Sequence, residues 1–180
     1  MIKSNLKAFI DKDTRLIILG TFPSVQSRGV WYYHNPKNQF WIILSRIFNN
    51  EDILSANSNE SLINKRKNFL KIKKLGLWDM IESCDIKGSD DNSIKTPKYN
   101  DISTIKKKCP NLECIAFSSK KAFQYYEKYL KSIKDDDTKN WLNKMTNNGK
   151  NVLPSPSPAN AGMKLDEKKR IWENILQVLK

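Results

Sequence analysis

One histidine and three cysteines in 180 residues leave little room for several common chemistries. A Ser-His-Asp hydrolase is not expected, because His34 would have to be its base and no Gly-x-Ser-x-Gly turn accompanies it. Cys84, Cys109 and Cys114 are odd in number and form no Cys-x-x-Cys pair, which argues against a disulfide framework and a Cys-type zinc site. No run approaches the roughly 18 apolar residues needed to span a bilayer. The opening Met1-Ile2-Lys3-Ser4-Asn5 carries no long apolar segment and no small-residue cleavage site, so secretion is not expected. Internal repeats and long linkers are also missing. The expectation is therefore one domain over residues 1–180 in a reducing, cytoplasmic setting, without metal or organic cofactor.

What the chain has in excess is positive charge. Thirty-two Lys and Arg against 19 Asp and Glu give a formal charge of +13. Surface cations displace counterions from a nucleic-acid backbone, so a polyanionic partner is favoured. Acidic membranes would be a second partner, yet no basic amphipathic helix stands apart from the core pattern. Lysine greatly outnumbers arginine, and Asn and Ile are abundant, as an AT-rich coding sequence would also produce. Lys65-Arg66-Lys67 with Lys71, Lys73 and Lys74 reads as a solvated helix face, as does Lys106-Lys107-Lys108.

Short apolar runs alternate with helical patterns. Arg15–Gly20 and Glu113–Phe117 read as buried strands and Asn151-Val152-Leu153 as a last strand. Leu77–Ile81 is a short strand or an extended connector. Helical spacing predicts helices over Asn38–Phe48, Asn59–Lys74, Ile102–Lys108 and the segment after Ser118-Ser119. A short one follows at Trp141–Met145, and a C-terminal one carries Ile171, Trp172, Ile175, Leu176 and Leu179. Gly88–Lys98, polar and containing Pro97, reads as a surface loop. This alternation predicts an α/β three-layer sandwich, its short-stranded and mostly parallel sheet flanked by helices. Ligands of such folds sit beyond the C-terminal strand ends.

Two Pro/Ser turns occupy that position, Gly20-Thr21-Phe22-Pro23-Ser24 and Leu153-Pro154-Ser155-Pro156-Ser157-Pro158-Ala159-Asn160. Between them lies Trp31-Tyr32-Tyr33-His34-Asn35-Pro36-Lys37-Asn38-Gln39-Phe40-Trp41, rich in aromatic and amide groups. Together they suggest a pocket for a flat, hydrogen-bonding ligand.

In these three blocks the chain resembles the uracil-DNA glycosylase superfamily, and most closely its hypoxanthine-DNA (deoxyinosine) glycosylase branch. Leu75-Gly76-Leu77-Trp78-Asp79 and Glu82-Ser83-Cys84 add to the likeness, which runs from about residue 15 onward. The resemblance implies a monofunctional glycosylase that extrudes a deaminated base, hypoxanthine foremost, from DNA and hydrolyses its bond to the sugar. Uracil, xanthine and mismatched thymine are alternative lesions. A non-catalytic DNA-binding or nucleobase-binding protein is the alternative class.

The resemblance assigns catalysis to Asn38, whose carbonyl would orient water, although an asparagine there can equally be a helix cap. Gly20, Thr21, Phe22, Tyr33 and Ser155 would hold the base, with Tyr33 as the stacking ring and Tyr32 and Phe22 as its rivals. Pro23, Ser24, His34, Ser157, Asn160 and Met163 would touch DNA, with Ala161, Gly162 or Met163 as the wedge. The chain departs from many relatives in carrying Phe22 where they have Asn or Asp. It also has Leu153 or Ser155, depending on alignment, where others have His. A monomer acting on damaged DNA, away from membranes, completes the expectation.

Overall fold

Three apolar runs too short for helices become a buried parallel sheet, and the sequence between them forms the covering layers. The computed structural model describes residues 1–160 and 162–180. In chain order its elements are β1 (Ile2–Lys3), β2 (Leu16–Gly20), α1 (Phe40–Phe48), α2 (Asn59–Ile72), β3 (Leu75–Asp79), β4 (Ile81–Asp85), β5 (Lys95–Tyr99), α3 (Ile105–Lys108), β6 (Cys114–Phe117), α4 (Lys120–Ser132), α5 (Asp136–Met145) and α6 (Leu165–Leu176).

The parallel sheet has the order β3-β2-β6, with β2 in the middle. Its residues alternate between the two faces, as a pleated strand requires. Leu16 and Ile18 join a core with Phe40, Ile43 and Leu44 of α1, Phe69 and Leu70 of α2, and Trp172 and Leu176 of α6. Ile17 and Leu19 join the opposite core with Ile105 of α3, Tyr125 and Tyr126 of α4, and Leu142 of α5. Leu16 to Leu19 are all fully buried, which is why the strand reads as one continuous apolar run. The α/β layered architecture expected from the alternation is the one present.

Several local expectations change. The predicted loop Gly88–Lys98 overlaps β5, which pairs antiparallel with β4 at the edge of a second sheet of order β1-β4-β5. Pro97 hid it, because proline cannot donate to a ladder; the pairing is irregular there and the strand sits at an edge, where proline is tolerated. β4 continues from β3 across Met80, whose N–H donates to Gly20 O at 2.8 Å. The expected strand Asn151–Leu153 shrinks to a single bridge between Val152 and Phe117, since Pro154 and Pro156 prevent extension. Helix α5 begins at Asp136 rather than near Trp141, because Asp135 caps it by accepting from Thr138 N at 2.8 Å. Arg66 is not solvated: it is 7 % exposed, donates to Ile53 O, and lies 4.6 Å over the Trp41 ring.

Candidate active site

Beyond the C-terminal ends of β2 and β3 lies a cleft of about 100 Å³ that opens to solvent. Its lining draws on all three sequence blocks: Gly20 to Ser24, Tyr32, Tyr33 and Asn38, and Ser155 to Ser157. Each arrives there for a local reason.

Gly20 ends β2 directly beside Asp79 of β3, its register partner. A Cβ at Gly20 would collide with Asp79 Oδ1 and stand 3.2 Å from the Tyr33 hydroxyl, so only glycine lets these side chains close over the strand end. Phe22 is 7 % exposed, with the Arg28 guanidinium 5.2 Å over its ring. Arg28 in turn donates to Pro23 O at 3.0 Å, which braces the turn.

Tyr33 adopts a left-handed backbone, φ +51°, uncommon for an aromatic residue. The conformation turns its ring flat onto Phe40, with centroids 3.8 Å apart and planes 5° from parallel. Phe40 is fully buried and meets Trp172 edge-on at 5.5 Å, so Tyr33 rests on a rigid aromatic stack. One face of Tyr33 is thus already covered, and at most the other is free for a ligand. Tyr32 is 2 % exposed and donates to Lys7 O at 3.0 Å, as a core residue does, although it also borders the cleft.

Asn38 is half-buried. Its Oδ1 accepts from Phe40 N at 2.9 Å, starting α1, while Gln39 at the cap position makes no side-chain cap bond. The cap and water-orienting readings are compatible, because a carbonyl oxygen has two lone pairs and the cap uses one. The cap also fixes which end of the amide is oxygen.

The Pro/Ser turn is tied to this segment by Gln39 N donating to Pro156 O at 2.9 Å. A second tie comes from Lys168 of α6, only 1 % exposed, whose ammonium donates to Gln39 Oε1 at 2.8 Å and Asn160 O at 2.9 Å. Trp172 Nε1 holds Pro154 O at 3.0 Å, and Asn160 Nδ2 holds Ser155 O at 3.2 Å. Segments over 100 residues apart in sequence are therefore locked together by hydrogen bonds.

Of the expected site residues, Gly20, Thr21, Phe22, Pro23, Ser24, Tyr33, Asn38, Ser155 and Ser157 line the cleft. Asn160 and Met163 line a larger, more open groove that adjoins it and shares Ser155 and Ser157. His34 lines neither among the described residues. Its N–H donates to Ser27 Oγ at 3.0 Å, and burial, with Arg66 second, lowers its pKa. Of the three wedge candidates, Gly162 is exposed and Met163 half-buried, and Ala161 lies outside the described residues.

Two cleft residues were missed from sequence, Asp79 and Asp91. Asp79 is 5 % exposed; burial, then the Asp91 charge, push its carboxyl up to about 7. Asp91 is raised to about 6 by burial, against the pull of Thr21, Lys121 and Arg28. The Tyr33 hydroxyl is raised by burial and then by Asp79. A charged residue closing an apolar strand was the available signal for Asp79. Asp91 had none, lying in what reads as a polar loop. Chemically, the cleft combines aromatic faces, amide and hydroxyl hydrogen-bonding groups, and a carboxyl that titrates near neutrality.

Comparison with known proteins gives one family. The model of the uracil DNA glycosylase superfamily matches residues 8–180. A hypoxanthine DNA glycosylase of Methanosarcina acetivorans is 32% identical over 178 residues, covering 98% of this chain and 99% of that protein. Another of that description, from Methanosarcina barkeri, is 36% identical over 126 residues, 69% of this chain and 76% of its own length. The solution NMR structure of a candidate uracil DNA glycosylase from Methanosarcina acetivorans superposes with a TM-score of 0.76 at 32% identity, covering 99% of both chains.

Proposed function

Because the chain belongs to the uracil DNA glycosylase superfamily, we propose that it is a monofunctional DNA glycosylase that removes hypoxanthine from deoxyinosine and leaves an abasic site. The observation that carries this reading is the cleft at the strand ends, into which all three distant blocks converge. Its aromatic faces and its polar rim suit a flat purine extruded from the duplex. Extrusion costs a few kcal/mol and is cheapest for a mispaired base, which contributes to selectivity.

In this reading the +13 charge draws the chain to DNA, and the groove containing Ser157, Asn160 and Met163 takes the strand beside the lesion. Pro23, Ser24 and His34 contact the backbone nearby. Phe22 and the free face of Tyr33 stack on the base, an interaction worth about 1–3 kcal/mol that tolerates several bases. Gly20, Thr21 and Ser155 address its polar edge. Asn38 cannot act as a base at neutral pH, but the second lone pair of its Oδ1 orients a water toward the sugar carbon. Orientation suffices when the glycosidic bond is largely broken before water arrives, as in oxocarbenium-like transition states. We further propose that the chain acts as a monomeric single domain in the cytoplasm.

Incubating the protein with a deoxyinosine duplex and then cleaving abasic sites with alkali tests the reading. Scission above the no-enzyme level is expected, together with its loss in Asn38→Ala. No scission on deoxyinosine would falsify the substrate assignment, and full activity in Asn38→Ala would remove the water-orienting role.

A further inference from the structure

Nothing in the mechanism above carries a proton, yet the cleft contains a carboxyl placed to do so. Asp79 ends β3 inside the cleft, 5 % exposed. Its Oδ2 is buried and, among the described residues, has no hydrogen-bond partner. Its Oδ1 occupies the space that a Cβ at Gly20 would take. The Tyr33 hydroxyl, also buried and without a hydrogen-bond partner among the described residues, stands over the same glycine. Buried polar groups are almost always satisfied, and a structural aspartate in a core is normally paired with a donor or cation. Asp79 has neither, and its free oxygen belongs to a group lining the space a ligand would fill.

We propose that Asp79 is a catalytic residue that holds a proton in the resting enzyme and donates it to a ring nitrogen of the extruded purine as the glycosidic bond breaks. This rests on the reading of the cleft as a purine-releasing site. The electron pair of the C1′–N9 bond passes into the purine, and the Asp79 proton neutralises it at N7, so the base departs as a neutral tautomer. Water oriented by Asn38 adds to C1′ of the sugar cation. Its surplus proton returns to the Asp79 carboxylate, directly or through solvent. The sum is deoxynucleoside plus water giving free base plus abasic sugar, with Asp79 restored.

The surroundings support the protonated form. Tyr32 and Tyr33 face Asp79 from the loop before α1, and Asp91 faces it from the loop between β4 and β5. Gly20 on β2 contributes no charge. Burial and the negative Asp91 together bring the carboxyl to about 7, where an acid is still protonated in part at neutral pH and gives up its proton readily.

The test is single-turnover release of hypoxanthine from a deoxyinosine duplex, from about pH 5 to about pH 9, for the parent, Asp79→Asn and Asp91→Asn. Melting curves and duplex affinity establish that each variant folds and binds. The parent rate should fall as pH rises through about 7, and Asp79→Asn should be slower at acidic pH by about 100-fold or more and lack that fall. Asp91→Asn, which removes the negative neighbour, should move the falling limb to lower pH. An active parent alongside an Asp79→Asn variant that keeps its rate or its pH limb overturns the inference alone. A parent limb that rises with pH and disappears in Asp79→Asn overturns the acid role in favour of a base. A parent that releases no hypoxanthine at any pH overturns the substrate reading and this inference with it.

Discussion

Replacing Asp79 by asparagine should stabilise the protein, and by an amount that grows with pH. The side chain is isosteric, so packing against Gly20 is preserved and the change is one of charge. In the unfolded chain the carboxyl ionises near 3.8, whereas burial and Asp91 raise it to about 7 in the folded protein. The native state therefore binds the proton more tightly, and between those two values stability falls as pH rises. Below 3.8 the group costs nothing, and above 7 the full penalty has been reached. At 1.36 kcal/mol per unit, the ionisation penalty is about 2 kcal/mol at pH 5 and about 4 kcal/mol at pH 8. Asparagine escapes it at both. Its own desolvation cost does not vary with pH, so the quantity to read is the change between the two conditions, about 2–3 kcal/mol. For a chain of this size 1 kcal/mol corresponds to roughly 2–4 °C in Tm. Thermal unfolding followed by circular dichroism should show the Tm gap between variant and parent widening by about 5–10 °C from pH 5 to pH 8. A gap equal at both values would mean that Asp79 ionises normally, and the account of its environment would fail.

Gly20→Ala places a methyl against Asp79 Oδ1 and the Tyr33 hydroxyl, so it should displace the carboxyl while leaving the strand intact. Its hypoxanthine-release rate should fall to about that of Asp79→Asn, and the double variant should be no slower, a non-additivity that a double-mutant cycle reads directly. Lys168→Met should lower Tm by a few degrees, since it leaves Gln39 Oε1 and Asn160 O without their donor, at about 1–3 kcal/mol. It should also slow base release without changing the pH profile, because the Pro/Ser turn loosens while Asp79 is untouched. Unaltered release would show that the lysine tie has no part in holding the site. Phe40→Ala removes the ring beneath Tyr33 and should cost about 3–5 kcal/mol in chemical denaturation, and a loss under 1 kcal/mol would contradict the rigid aromatic stack.

The parts of this fold legible in the sequence are those governed by local pattern. Leu16–Gly20 is apolar at every position because both faces of its sheet are covered, and that needs no tertiary information to recognise. Ser119 marks a helix start by chemistry that acts over three residues. Where the patterns misled, a longer-range partner had overruled them. Strand β5 forms despite Pro97 because β4 lies alongside and the edge position does not require the missing N–H. Arg66 is buried because Trp41 offers it a ring and Ile53 a carbonyl, neither visible from a run of basic residues.

The same division runs through the site. Composition and motif alone determined that a basic α/β chain carries two Pro/Ser turns and an aromatic, amide-rich segment, because turn chemistry and periodicity are written into neighbouring residues. Only the folded chain decided that Asn38 caps a helix with one lone pair while keeping the other, that Tyr33 has one face already taken, and that Asp79 lies unpaired against Gly20. Charge state and free surface depend on what surrounds a group in space. For these residues the neighbours come from strands and loops far apart in the chain.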